Sequence, residues 1–193
     1  MKYEIIYNGP LLFKTKIKPQ EIKSLLQTCV KNKKLDMRKR LAGLIKDEYE
    51  IKDHNKLINI LTPYLFAFKD AYQKWYDDDV KDIVIVDAWV NYMKEGECNP
   101  PHIHTGCDFS SVIYLNIPKI LKQESIKAIN NYSKPGSINF IFGPMVRGYI
   151  SQKHYFPEVG DFYMFPHTLN HSVNSFKSKC ERISLAINFN IIK

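Results

Sequence analysis

Two histidines stand one residue apart at positions 102 and 104, in the stretch NPPHIHTGCDFSSVIYL that covers residues 99–115. In an extended chain, residues i and i+2 point to the same side, so His102 and His104 are both able to reach one ion. Pro100 and Pro101 restrict the backbone before them and make the approach rigid. The pair alone also fits a polar turn, and a metal site needs a further ligand from elsewhere in the chain.

That ligand is found in GDFYMFPHTLNHSV, residues 160–173. Gly160 permits a turn, DFYMFP is typical of a short apolar strand, and His171 follows Pro166 by five residues. We predict that His171 opens the polar hairpin NSFKSK, and that His167 supports the site or lies at the surface. Imidazole ligands with open coordination positions suit Fe(II), among other divalent metals.

The last apolar stretch, ERISLAINF, carries an arginine among small and polar residues. Period-two alternation puts one set on a shared face, namely Arg182, Ser184, Ala186 and Asn188. A buried guanidinium without an anion is costly. Either Arg182 lies at the mouth of the strand and reaches solvent, or it binds a carboxylate with both arms while Ser184 adds a hydroxyl. The second interpretation places an anion site beside the imidazole site.

Taken in order, these motifs resemble the Fe(II)- and 2-oxoglutarate-dependent dioxygenases, in particular a branch related to prolyl 4-hydroxylases that is common in phage and bacterial genomes. That branch has a strand with tryptophan and asparagine, then NPxHxH, a strand ending in YL, a glycine-led FP-x-x-L-x-H-x-V segment, and R-x-S. The matching residues are Trp89 with Asn91, Asn99 to His104, Ser110 to Leu115, Gly160 to Val173, and Arg182 with Ser184. The resemblance has motifs over residues 80–193 and is looser before them.

The resemblance implies the cofactors Fe(II), 2-oxoglutarate and O2, with ascorbate as a supporting reductant. It implies that 2-oxoglutarate is held through its distal carboxylate by Arg182, Ser184 and Tyr114. The implied reaction hydroxylates a C–H bond of the substrate and releases succinate and CO2. The nearest named relatives imply a prolyl residue of a peptide or protein as that substrate, although a small molecule stays open.

One position departs from the family pattern. The family at large uses His-x-Asp/Glu with a distal His, and His104 stands where the carboxylate is expected. Either this branch uses three histidines, or another carboxylate takes the place, and Asp108 is the nearest candidate. We predict His102, His104 and His171 as metal ligands, with Asp108 in reserve.

The spacing of apolar residues changes near residue 80, from a helical pattern before it to a strand pattern after it. Apolar spacing predicts a helix from about Pro19, and a stronger one capped by Asp53 that Pro63 either kinks or divides. After residue 80, six short stretches rich in β-branched and aromatic residues predict strands: KDIVIVDAWVNYM, SSVIYLNI, SINFIF, KHYFPEV, DFYMFP and ERISLAINFNII. This order predicts an α+β fold with a mainly β core, and the resemblance specifies a double-stranded β-helix (jelly-roll, cupin-like) with N-terminal supporting helices.

Length and composition indicate one globular domain over residues 1–193, with a helical support layer over 1–80 and a catalytic core over 81–193. No apolar run is long enough to span a membrane, and the N-terminal stretch MKYEIIYNGPLLF lacks a signal-peptide pattern. We therefore expect a cytoplasmic protein, of a bacterium or of the host cell if a phage encodes it. Substrate specificity is expected in residues 116–136.

Two rival functions remain open at this stage. A cupin-type metalloenzyme would take Asp108 as a fourth ligand beside His102, His104 and His171, and would leave the R-x-S motif unexplained. A non-enzymatic nucleic-acid or phage-associated binding protein would use the net charge of +8 and the ten Lys or Arg residues between Lys14 and Arg40. No aromatic residues interleave them, so nucleic acid is not the favoured partner.

Overall fold

The computed structural model describes residues 9–129, 134–144 and 151–193, and these ranges form two antiparallel sheets and three α-helices. The helices are α1 (Pro19–Thr28), α2 (His54–Tyr76) and α3 (Lys119–Lys127). The strands are β1 (Phe13–Lys16), β2 (Glu48–Glu50), β3 (Asp82–Met93), β4 (Asn99–His102), β5 (Phe109–Asn116), β6 (Ile138–Ile141), β7 (Gln152–Tyr155), β8 (Asp161–Pro166), β9 (Asn170–Val173) and β10 (Arg182–Ile192). The larger sheet has the order β1-β8-β5-β10-β3-β2 and the smaller one β4-β9-β6-β7.

The helices α1 and α2 pack on the outer face of the larger sheet, so the predicted mainly β core with N-terminal supporting helices is confirmed. The helix α2 buries one stripe at helical spacing, which includes Leu57, Leu61 and Phe68. Phe68 meets Phe109 of β5 edge-to-face, with ring centroids 5.0 Å apart. Asp53 caps α2 as predicted, since its side chain accepts the backbone N–H of Lys56 at 3.0 Å.

Pro63 does not divide the predicted helix, because α2 continues past it to Tyr76. Among the described residues, none of the helices is long and apolar enough to cross a membrane.

The structure differs from the sequence prediction in three places. Residues 116–136 contain α3 rather than a loop alone, and residues 130–133 of this stretch lie outside the described ranges. The period of α3 is weak because only Leu121 and Ser125 are buried in it. The edge strand β1 was not predicted, since it alternates two lysines with Phe13 and Thr15.

The position of His171 is the third difference. His171 lies inside β9, which pairs with β4 on one side and β6 on the other, so the prediction that it opens the NSFKSK hairpin is wrong. The strand β4 ends at His102, and His104 lies just beyond it.

The central strand β10 carries the face that the sequence predicted to hold the arginine. It runs between β3 and β5, and its register aligns Ser184 with Asn91 of β3 and Tyr114 of β5. On the other side of β3, Glu48 of β2 pairs with Asn91, so the four residues follow one another across the sheet. We call these four residues, Glu48, Asn91, Ser184 and Tyr114, the polar row. All four side chains line one cavity between the two sheets, while Leu185 and Ile187 of β10 join the core under the helices.

Candidate metal centre and anion pocket

Three imidazoles converge at the end of β4 and the middle of β9. The nitrogen atoms that His102, His104 and His171 offer all lie within 4.8 Å of one another. Nε2 of His104 and Nε2 of His171 are 3.2 Å apart. Two nitrogen ligands at roughly 2.1 Å from one ion, on neighbouring coordination positions, are separated by about 3 Å. The spacing therefore fits two ligands of a single metal ion.

The backbone fixes which ring nitrogen faces this point. Nδ1 of His102 lies 2.7 Å from the carbonyl oxygen of Pro100, and Nδ1 of His171 lies 2.9 Å from that of Leu169. A carbonyl oxygen only accepts, so each Nδ1 carries the proton and donates it. The lone pair of Nε2 is then left for a metal ion, as is usual for histidine ligands.

Burial keeps the three rings neutral. It is the largest cause of the lowered pKa of His102, of His104 (to about 4) and of His171 (to about 3), and the charges of neighbouring imidazoles lower the last two further. Only neutral imidazole binds a metal, so the three histidines are in the ligating form at neutral pH.

His167 holds the backbone of His104 in place. The backbone N–H of His104 donates to the carbonyl of His167 at 2.9 Å, and Nδ1 of His167 donates to the carbonyl of His104 at 2.8 Å. His167 also donates its own backbone N–H to the carbonyl of Asp108 at 3.1 Å. The residue thus ties the segment before β9 to the segment after β4.

The structure does not bring the reserve ligand Asp108 to the centre. A carboxylate oxygen of Asp108 accepts the backbone N–H of Ile191 at 2.8 Å, near the far end of β10. Within the described ranges, the group that could hold a metal contains the three histidines and no carboxylate.

The other end of the cavity holds a buried cation. Arg182 is 1% exposed, so it does not reach solvent from the mouth of its strand. Nη1 donates to the carbonyl of Gly136 at 3.1 Å, Nε has no acceptor, and no carboxylate among the described residues pairs with the guanidinium. Burial lowers the pKa of Arg182. A guanidinium in this position is stabilised by an anionic ligand.

Two further polar groups surround that cation. The Tyr114 hydroxyl is buried without a hydrogen-bond partner, and the ring of Tyr114 lies 5.5 Å from Cζ of Arg182. Ser184 is buried two residues along β10. Guanidinium and hydroxyl donors that line the same cavity suit a carboxylate, so the residues present fit the distal end of 2-oxoglutarate.

One cavity of about 450 Å³ contains both ends of this arrangement. That volume is in the range of pockets that bind small organic ligands. Apolar side chains from Met37, Leu41 and Trp89 form one wall, and the Trp89 ring centroid is 5.8 Å from that of His104. The cavity can thus hold an ion, a small dicarboxylate and part of a substrate with little water.

Glu48, which no sequence motif indicates, lines the same cavity. Its carboxyl group is 1% exposed and neither oxygen has a hydrogen-bond partner. Burial, with a smaller effect of Glu97 and Asp36, raises the pKa of Glu48 to about 7. The segment KDEYEI offers several acids in a row, and its sequence gives no sign of which one is buried.

The basic stretch from Lys14 to Arg40 is partly neutralised. Five of its ten basic side chains form ion pairs with carboxylates: Lys14, Lys16, Lys31, Arg38 and Arg40. A surface that binds the phosphate backbone needs unpaired cations, so the stretch favours a solvated face.

A family model described as "Putative 2OG-Fe(II) oxygenase" matches residues 87–188, more than half of the chain. The matched range includes every predicted metal and anion ligand. A search of curated proteins gave no match.

Three solved structures are similar in fold. A prolyl-4-hydroxylase of Pseudomonas putida is 15% identical with a TM-score of 0.57, over 94% of this chain and 93% of that one. A collagen prolyl hydroxylase of Paramecium Bursaria Chlorella virus-1, in its 2OG complex, is 12% identical with a TM-score of 0.57, over 94% and 96%. A prolyl hydroxylase of Trichoplax adhaerens, in complex with a hypoxia inducible factor peptide, is 10% identical with a TM-score of 0.57, over 95% and 84%. At these identities the likeness establishes the double-stranded β-helix fold.

Proposed function

We propose that this chain, which belongs to the 2OG-Fe(II) oxygenase family, binds its iron through three histidines and hydroxylates a prolyl residue of a peptide or protein. The family gives the cofactors, Fe(II) and 2-oxoglutarate, and the reaction class. The observation that carries the residue assignment is the convergence of His102, His104 and His171 in the same cavity as the uncompensated cation of Arg182.

The three histidines would hold the metal through their Nε2 atoms. Because Nδ1 of His102 and His171 donates to a backbone carbonyl, neither ring can turn without losing a hydrogen bond. All three ligands are neutral, so the protein contributes no negative charge to the centre. The family's usual site contributes one carboxylate there.

Arg182 would bind the distal carboxylate of 2-oxoglutarate, with Ser184 and Tyr114 as further donors. The carboxylate would satisfy Nε of Arg182 and the hydroxyl of Tyr114, both of which lack a partner in the protein. Each donor belongs to a residue that already lines the cavity, so little reorganisation is needed.

When bound, Fe(II) and 2-oxoglutarate supply the oxidation, in which one atom of O2 enters succinate, formed with CO2, and the other enters the substrate C–H bond as a hydroxyl group. The chain's own residues orient the reactants and exclude water. Trp89 and its apolar neighbours Met37 and Ala186 form the dry wall beside His104. No side chain has to move a proton as a general base.

A prolyl residue is the first substrate to test. The Pseudomonas putida structure is a prolyl-4-hydroxylase, and the Trichoplax adhaerens structure holds a peptide. Both align over more than nine tenths of this chain. The likeness supports a cavity entrance that admits a peptide segment.

The experiment is succinate formation with Fe(II), ascorbate, 2-oxoglutarate and O2, with a panel of prolyl peptides and mass-spectrometric detection of a hydroxylated product. We expect His102→Ala, His104→Ala and His171→Ala to reduce turnover by roughly 100-fold or more, because each removes a metal ligand. Arg182→Ala should raise KM for 2-oxoglutarate by a similar factor, because it removes a charge-assisted pair.

Matched controls are His154→Ala, on β7 and outside the cavity, and Arg38→Ala, whose exposed guanidinium pairs with Asp36. Both should retain wild-type turnover. If His171→Ala and Arg182→Ala turn over 2-oxoglutarate as well as the controls do, the residue assignment is wrong. If succinate forms and no prolyl peptide is hydroxylated, only the substrate proposal fails.

A further inference from the structure

Buried hydrogen-bond acceptors without donors mark one end of the polar row. Both carboxylate oxygens of Glu48 and Oδ1 of Asn91 lack a partner. Glu48 is 1% exposed and Asn91 is 5% exposed, and both line the cavity that contains the three histidines. Leaving such groups unpaired costs free energy comparable to a lost hydrogen bond for each of them. A ligand with several hydrogen-bond donors would satisfy these groups.

Gly43 lets oxygen atoms of Glu48 and Asn99 lie close to the backbone and to each other. A Cβ atom at position 43 would lie 2.4 Å from Oδ1 of Asn99 and 2.7 Å from Oε1 of Glu48. Two oxygen atoms from different strands thus face the same small volume, and Asn99 adds a third acceptor side chain to Glu48 and Asn91. A side chain at position 43 would clash with both oxygens and displace them. Gly43 also lines the cavity.

The charge around Glu48 is not neutralised by the protein. No basic side chain among the described residues forms an ion pair with it. Arg38, whose charge favours ionised Glu48, is on the exposed side and bonds to Asp36. Glu97 is engaged elsewhere, since its carboxylate accepts the backbone N–H groups of Lys46 and Lys94. A cationic ligand is the partner that a lone buried carboxylate lacks.

We propose that Glu48, Asn91 and Asn99 form a subsite for a protonated nitrogen of the substrate, an ammonium or guanidinium group such as a lysyl or arginyl side chain carries. Ammonium offers three donors and guanidinium five, which suits the three unpartnered oxygens, two of Glu48 and one of Asn91. This inference rests on the proposed function for the assumption that the cavity admits a peptide, and it adds that the peptide is basic near the oxidised residue.

Direct binding tests the subsite without turnover. The full-length protein is titrated with n-butylammonium, n-butylguanidinium and the neutral 1-butanol by isothermal titration calorimetry at pH 8, where Glu48 is ionised and both probes are cationic. We expect the cations to bind wild type at least ten-fold more tightly than 1-butanol. The tighter of the two cations identifies the head group that fits. Equal binding of 1-butanol, or no binding of either cation, overturns the proposal.

Two variants make the result specific. Glu48→Gln keeps the shape and removes the charge, and it should weaken binding of the preferred cation at least ten-fold. Gly43→Ala keeps the charge and displaces the oxygens of Glu48 and Asn99, because its Cβ would clash with both. It should weaken binding as well, so the test survives if one variant fails to fold. The matched control is Glu50→Gln, on the same strand and outside the cavity, which should bind as wild type does.

Unchanged binding in both Glu48→Gln and Gly43→Ala would overturn the proposal. The two proposals fail separately, because a protein that forms no succinate can still bind the cations at Glu48. Conversely, a protein that hydroxylates prolyl peptides can fail to bind the cations. Succinate formation with peptides that place lysine, arginine or norleucine beside proline then connects binding to turnover.

Discussion

The Tyr114 hydroxyl shows how a single atom is kept for a ligand. It is buried without a partner, whereas the hydroxyl of Tyr49 donates to Asp47 at 2.7 Å. We predict that Tyr114→Phe leaves the stability of the ligand-free protein unchanged or slightly raised, because no hydrogen bond is lost. The same substitution should raise KM for 2-oxoglutarate roughly ten-fold, the effect of one hydrogen bond to a charged group.

The matched control is Tyr49→Phe, which removes a satisfied hydroxyl. It should lower the free energy of unfolding by about 1 kcal/mol and leave KM for 2-oxoglutarate unchanged. Urea unfolding and steady-state kinetics measure the two quantities. A Tyr114→Phe protein that is destabilised with normal KM would assign the hydroxyl to the fold and not to the cosubstrate.

Some residues of the site could be predicted from the sequence, and others could not. The three histidines and Arg182 belong to short motifs whose spacing along the chain carries the chemistry. Their convergence depends on pairing across the smaller sheet, which aligns His102 with His171. Glu48 has no such motif, because its burial follows from the register of β2 on β3 and from the fit of Gly43 against it. Contacts between distant segments set that register, and the local pattern does not encode it.

At the scale of elements, two connections hold the metal centre together. The segment after β4 carries His104 and the segment before β9 carries His167, and the two residues exchange hydrogen bonds in both directions. His104 has no strand of its own to fix it, since β4 ends at His102. Its position depends on this tie.

We therefore predict that His167→Ala weakens metal binding roughly ten-fold, an effect typical of residues that orient a ligand. Competition between the protein and a chromophoric chelator for Co(II) measures the affinity. His167→Asn should restore part of it, because its amide can still donate to the carbonyl of His104. His154→Ala is the control. Normal affinity in His167→Ala would mean that the backbone bond alone holds His104.

Elements whose apolar residues recur at regular spacing were predicted from the sequence. Elements without such a pattern were not. The helix α2 and the strands β3, β5, β8 and β10 bury one face or both, so apolar spacing predicted their presence. The helix α3 and the strand β1 bury few apolar residues and are held by neighbours, for example by the Lys14 and Lys16 ion pairs with Asp161. Such elements depend on tertiary contacts, which local patterns do not report.

For the whole molecule, the buried site should make stability depend on pH. Each imidazole with a lowered pKa binds a proton in the unfolded chain below about pH 6.5 and not in the folded one, so stability falls as pH falls. Glu48 acts in the opposite direction, since its pKa of about 7 is above the unfolded value and the folded chain takes up its proton first. Three imidazoles act against one carboxyl, so the net effect is that stability falls toward acid.

Urea unfolding of the metal-free protein, in EDTA between pH 7 and 4.5, measures this slope. We expect lower stability at each step toward acid, a steeper fall in Glu48→Gln and a shallower one in His104→Ala. Stability that is flat or rises toward acid would contradict the neutral state of the three rings. Adding Zn(II) at pH 7 without EDTA should raise the midpoint, because the folded chain binds the ion more tightly than the unfolded chain does.

The wall around Gly43 and Glu48 comes from a different stretch of polypeptide than the metal and anion ligands. The ligands all fall within residues 87–188, the range that the family model covers, whereas Gly43 and Glu48 precede it. We therefore predict that substitutions in residues 37–48 alter which substrate binds while the oxidising centre keeps its geometry. A transplanted segment of about a dozen residues would then be a compact means of redirecting this enzyme to another substrate.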